Sequence, residues 1–215
     1  MNRTKEDYTK RPGLLIVEGY SDLRFYAELL EHLGCHTNVW IKEFNGKKDL
    51  WKKLETFLTP DLLAEKRTIA VILDADESGP GTDLSLTNRL EQLTGRKLTC
   101  GNWSAGDGSR DVPMLGYYVV PSPVSQGEME TLVWQAWAND ERNLASRGCI
   151  ESFLKCMSAA GYEAKSPEKG LISALLAVRN DEDPRLGPGA QAKVFDFNCP
   201  EFADIKKFLS GFASG

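Results

Sequence analysis

The first half of the chain alternates two hydrophobic periods, and this alternation restricts the fold more than any other feature. Short apolar runs at 13–18 ("GLLIVE"), 36–44 ("HTNVWIKEF"), 67–74 ("RTIAVILD") and 115–121 ("LGYYVVP") read as strands. Between them lie segments whose apolar residues recur at helical spacing: 21–34, 47–58 and 83–94. In the first of these, Leu23, Tyr26, Leu29, Leu30 and Leu33 share a face, Ser21 is an N-cap candidate and Gly34 a stop. Pro60 ends the second and Gly95 the third. Strand–helix alternation favours a parallel sheet with right-handed crossovers. The second half reads as helical, at 128–137, 149–160, 169–178 and 201–212, with a charge-rich loop over 179–191. The expectation is an α/β fold. A mostly parallel four-stranded sheet flanked by helices occupies 1–125, and a helical extension over 126–215 packs on it.

Bulk properties exclude several classes. No apolar run approaches bilayer length. The first residues, "MNRTKEDYTKRPG", are mixed in charge and lack an apolar secretory segment, so a cytoplasmic location is expected. The five cysteines are dispersed with no CxxC pair, which suits reduced thiols better than a disulfide framework. Cys35 and His36 are adjacent but lack a second ligand pair, and only His32 and His36 are available for histidine chemistry. The net charge of −5 opposes a broad nucleic-acid-binding surface but allows a local basic strip, for which Lys47, Lys48, Lys52 and Lys53 are candidates. A solvated helix face is the plainer reading of those lysines.

Functional groups of an open parallel sheet gather at the carboxyl ends of its strands. The first strand ends in Glu18-Gly19 and the third in Asp74-Ala75-Asp76. If the two strands are neighbours, about 4.8 Å separates them and the three carboxylates converge. Three carboxylates that close cannot all remain ionised without a cation, and oxygen donors without histidine or thiolate favour Mg²⁺ or Mn²⁺. Gly19, Gly79 and Gly81 would leave room for a phosphate to approach the backbone. Alone, an Asp-rich strand end needs no function, since such turns are common.

"LLIVEGYSD" followed by "VILDADESG" resembles the Toprim signature, a Glu-Gly after a first strand and an Asp-x-Asp after a later one. Toprim domains occur in type IA and type II topoisomerases, bacterial primases, small recombination proteins and overcoming-lysogenization-defect nucleases. "FNGKKDL", "VPSPVSQGEMETL", "CIESFLKC" and "LGPGAQAKVFDFNCPEF" resemble a narrower Toprim-related group catalogued as domain of unknown function 3226. The resemblance implies Glu18 as general acid/base and metal ligand, Asp74 and Asp76 as Mg²⁺ ligands, and phosphodiester chemistry on DNA or RNA. It also implies that Glu128 or Glu130 could complete a second metal site, although first-turn acids suit any helix. Asp22 reads as a helix-dipole partner or a supporting carboxylate. The cation that holds a phosphate is sought among Lys47, Lys48, Lys169 and Lys193, with Lys47 best placed.

No tyrosine stands in the context of a topoisomerase nucleophile: Tyr20, Tyr117 and Tyr118 read as packing residues. The chain carries no P-loop and no primase zinc segment, and a partner ATPase on another chain stays open. The leading expectation is therefore a Mg²⁺-dependent nuclease or other phosphodiester-acting enzyme. The alternatives are a non-catalytic interaction protein on the same scaffold and a phosphatase of the haloacid dehalogenase kind. The last normally carries its Asp-x-Asp on the first strand.

Overall fold

Four of the five strands form where a short apolar run rich in strand-favouring residues ends at a turn. The computed structural model of the chain describes residues 7–104, 112–164 and 166–213. The strands are β1 (Gly13–Val17), β2 (Val39–Glu43), β3 (Thr68–Asp74), β4 (Trp103–Ser104) and β5 (Met114–Val120), in the order β2-β1-β3-β5-β4. β1, β2, β3 and β5 run parallel, and the two-residue β4 pairs antiparallel to β5. The sheet is thus five-stranded rather than four-stranded. Two residues are too few to show a period, and β4 adjoins residues 105–111, which lie outside the described ones.

Successive side chains of a strand face opposite sides of the sheet, and here both sides are covered. Leu14, Ile16, Ile69, Val71, Leu73, Leu115, Tyr117 and Val119 point to one face. There they meet Leu50 and Leu54 of α2 (Lys47–Phe57) and Leu86 and Leu90 of α4 (Gly79–Thr94). Leu15, Val17, Ala70, Ile72, Tyr118 and Val120 point to the other. That side is layered by α1 (Tyr20–His32) and by elements from the second half: α5 (Met129–Ala138), α7 (Pro167–Arg179), α8 (Leu186–Gln191) and α9 (Ala203–Leu209). The second half of the sequence, with α1, therefore supplies one layer of the α/β/α sandwich. Phe208 of α9 reaches across to stack on Trp103, with ring centroids 5.0 Å apart. α6 (Leu144–Ala159) lies outermost and buries no residue.

Several boundaries differ from the sequence reading for local reasons. α1 starts at Tyr20, with Gly19 as its N-cap, because the Asp22 carboxylate accepts the Gly19 N–H at 3.0 Å. Ser21 instead accepts the Gly187 N–H. Pro60 begins a helix, α3 (Pro60–Glu65), capped by the Thr59 hydroxyl at the Leu62 N–H. α4 starts four residues earlier than its apolar period suggests, with Pro80 in its first turn.

The largest difference is α8, which falls inside the expected loop. Its "LGPGAQ" sequence has poor intrinsic helicity, but glycines let two helix backbones touch. A Cβ at Gly187 would stand 2.7 Å from both Arg24 Cβ and Ser21 O on α1. We expect Gly187→Ala to destabilise the protein by about 1–3 kcal/mol through overpacking. Urea unfolding would show a lower midpoint, and an unchanged midpoint would mean that α1 and α8 do not press together this closely.

Candidate active site

Register brings the acids together. Ile16 pairs with Val71, so Glu18, two residues on, reaches the level of Leu73 and Asp74. Its Oε1 accepts the Asp74 backbone N–H at 2.9 Å. Asp74 in turn accepts the Met129 N–H on Oδ1, also at 2.9 Å, at the start of α5. Asp22 from the first turn of α1, and Glu128 and Glu130 from the start of α5, face the same region. Three acids thus sit at the positive ends of helices, which offsets part of their repulsion.

Burial and mutual repulsion still dominate the electrostatics. Burial pushes the Glu18 carboxyl up to about 7, against the Asp74 N–H and Lys47, with Asp76 and Asp22 adding to the rise. Burial likewise lifts Asp22 to about 6, despite the Gly19 N–H and Lys169. Asp74 lies well above the ordinary carboxylate range, first by burial and then by Glu18, Asp22, Glu130 and Glu128. Glu130 is raised by burial as well.

Asp76 behaves differently. It is exposed and held at φ 51°, a left-handed conformation rare for a residue with a side chain. Two backbone bonds with Gly127, each 2.8 Å, fix it there. Its Oδ2 lies 2.6 Å from Lys47 Nζ, and the same ammonium donates to the Asp74 carbonyl (2.7 Å) and the Thr82 hydroxyl (3.0 Å). Lys169, from the first turn of α7, forms an ion pair with Glu128. Two lysines therefore flank the carboxylates, one on each side.

Of the other expected site residues, Lys48 is exposed on α2. Lys193 pairs with Glu28 at 2.6 Å and lines a separate cavity with Trp137 and Phe195, so it does not join the acids. Gly79 does not open space for a ligand. A Cβ there would lie 2.2 Å from Ser125 O, so the glycine admits the loop before α5. Gly81 is bounded by Ser78 Oγ at 3.0 Å, and only Gly19 is nearly clear. Tyr117 and Tyr118 are buried as expected, with Tyr117 hydrogen-bonded to Thr87 and Asp83, but Tyr20 is 56% exposed. Thr82, Gly127 and Ser166, the N-cap of α7, escape sequence reading, because no spacing links them to the acids.

Beside the carboxylates opens a cleft of about 900 Å³, walled by Lys47, Trp51, Asp76, Thr82, Glu128 and Ser166, among others. A family model described as "Protein of unknown function (DUF3226)" matches residues 12–214, which include every residue of this site. The chain belongs to the DUF3226 family. No curated protein and no solved structure matches it. Among the described residues no three His, Cys, Asp or Glu side chains stand ready as a metal cage, and no helix is long and apolar enough to cross a membrane.

Proposed function

We propose that this protein is a Mg²⁺-dependent enzyme acting on nucleic-acid phosphodiesters, a nuclease of Toprim-like ancestry. The observation that carries the reading is the convergence of Glu18 and Asp74 through one hydrogen bond at the sheet's carboxyl end, with Asp76, Asp22, Glu128 and Glu130 around them. The donor set fits a hard divalent ion. It is all carboxylate oxygen, and Glu18 and Asp74, raised first by burial and then by neighbouring acids, sit where a bound cation would favour their ionised forms. Asp74, Asp76 and Glu18 would hold the ion, with Glu128 and Glu130 as ligands for a second. A bound divalent ion would polarise a phosphoryl oxygen and stabilise the charge that develops on it.

The chain's own residues supply the rest. Glu18, poised near neutrality, is suited to move a proton at its carboxyl. Lys47, with three fixed partners, is suited to orient a phosphate oxygen at the cleft wall. Trp51 bounds the cleft and limits how a substrate can lie in it.

One observation favours a second reading, a non-catalytic scaffold. The Lys47–Asp76 ion pair supplies an internal cation where the metal would bind. Calorimetry with Mg²⁺ and Mn²⁺, run beside cleavage assays on single- and double-stranded DNA and RNA, separates the two. Saturable metal binding at millimolar or lower concentration, lost in Glu18→Gln, together with cleavage that EDTA stops, is the expected outcome. No heat of binding and no cleavage would leave the scaffold reading standing.

A further inference from the structure

α2 stands as a ridge between two depressions. At 100° per residue, Lys47 and Trp51 turn toward the cleft, whereas Asp49, Lys53 and Thr56 turn toward a second groove of about 590 Å³. Lys48, Lys52 and Glu55 fall on the crest between them, opposite the buried Leu50 and Leu54. Glu55 is engaged by Arg89 at 3.5 Å. Lys48 and Lys52, both exposed, have no ion-pair partner among the described residues. Of the other exposed lysines, Lys10, Lys53, Lys169 and Lys193 are paired with Asp7, Asp49, Glu128 and Glu28, whereas Lys97, Lys155 and Lys207 also lack an ion-pair partner among the described residues. Lys48 and Lys52 alone of the unpaired set stand on the helix that walls the cleft. The second groove begins at Gly19, next to Glu18, and is lined by Tyr20, Lys42, Phe44, Lys53 and Phe57. Lys42 lies 5.2 Å above the Phe44 ring and has no carboxylate partner among the described residues. Tyr20 is exposed at the rim of the groove, and Trp51 walls the cleft on the other side.

Resting on the phosphodiester reading above, we propose that α2 docks a single strand of nucleic acid. Lys48 and Lys52 on its crest, with Lys42 on one flank, contact successive phosphates, and Tyr20 and Trp51 meet unpaired bases on the two sides; Lys53 beside them is held by Asp49 at 2.7 Å. Alternating cations and aromatic rings match the alternating backbone and bases of a single strand, and stacking tolerates any base. A duplex hides its base faces and would use the lysines alone. The strand crossing the ridge from groove to cleft passes the carboxylates, between Gly19 and Asp76.

Fluorescence anisotropy with a labelled single-stranded oligonucleotide, as DNA and as RNA, tests this in EDTA, where cleavage is silent. In Lys48→Glu/Lys52→Glu, binding should weaken at least about tenfold at moderate salt, and the log–log salt slope should flatten by roughly 1.4, about 0.7 for each phosphate contact. Lys48→Arg/Lys52→Arg should bind like the wild type. Tyr20→Ala should weaken binding by about fivefold or more with no change in slope. Lys48, Lys52 and Tyr20 are all exposed, and matching thermal unfolding would show that the fold is intact. The proposal is overturned by a glutamate pair that binds like wild type, by absence of saturable binding in the wild type, or by duplex that outcompetes the strand. Failure of the catalytic reading looks different: strand binding with these signatures but no metal-dependent cleavage. Cleavage whose KM ignores the Lys48/Lys52 exchange would keep the enzyme and remove the ridge.

Discussion

Asp74→Asn is expected to lower metal-dependent cleavage by on the order of a thousandfold, the equivalent of about 4 kcal/mol of lost charge stabilisation. The same variant is expected to be at least as thermostable as the wild type without metal. The opposite signs follow from the geometry. Asp74 accepts the Met129 N–H on Oδ1, and the asparagine carbonyl can accept it in the same place. What asparagine removes is an ionisable group that burial and four neighbouring acids disfavour as a charge. It also removes a negative oxygen donor. Cleavage rates measured beside thermal unfolding in EDTA check both halves. Near-wild-type cleavage would take Asp74 out of the chemistry, and a large fall in stability would show that its charge holds the fold together.

Without metal, the protein should lose stability as pH rises from about 5 to about 8, and Mg²⁺ should restore it at the upper end only. Glu18 carries the clearest part of this. Its folded value of about 7 lies above the ordinary 4.5, so folding favours the protonated carboxyl. That contribution is full below the unfolded value and is lost as pH climbs through the folded one. For Glu18 the loss is roughly 3 kcal/mol, or on the order of 5–10 °C for a chain of this size. Asp22, raised to about 6, adds in the same direction and over a lower window. A divalent ion bound as proposed would take the ionised acids, so its stabilisation should grow with pH, opposite to the trend in EDTA. Thermal unfolding across this range, with EDTA or with millimolar Mg²⁺, reads both. A flat profile in EDTA would mean that the acids are better solvated than their packing indicates. A Mg²⁺ effect equal at both ends would mean that the ion binds elsewhere.

The same charges explain the flanking lysines. Lys47 and Lys169 lower the cost of gathering the carboxylates, and each holds an acid at the edge of the set, Asp76 and Glu128. On the proposed reading, a metal ion held through Asp76 would have to displace Lys47, which would free its ammonium for a phosphate. The ion pair that argues for a passive scaffold is thus also a means of ordering events in an active one.

By itself the sequence determined the parallel α/β core, because short continuous apolar runs alternate with longer segments of helical period, the pattern of strands buried on both faces between crossover helices. It also picked out Glu18, Asp74 and Asp76, because strand ends in such a sheet lie on one side whatever the loops do. Tertiary structure alone decided three other matters. Adjacency of β1 and β3 made the acids a cluster, since strand order depends on crossovers that no local spacing encodes. α8 exists because α1 offers a surface that only glycine can approach, whereas its own residues favour a turn. The orientation of α2 separates Lys47, which enters the site, from Lys48 and Lys52, one and five residues on, which stand on its crest. Helical rotation makes neighbours in sequence face different surroundings, and only the packed sheet fixes which face is turned inward.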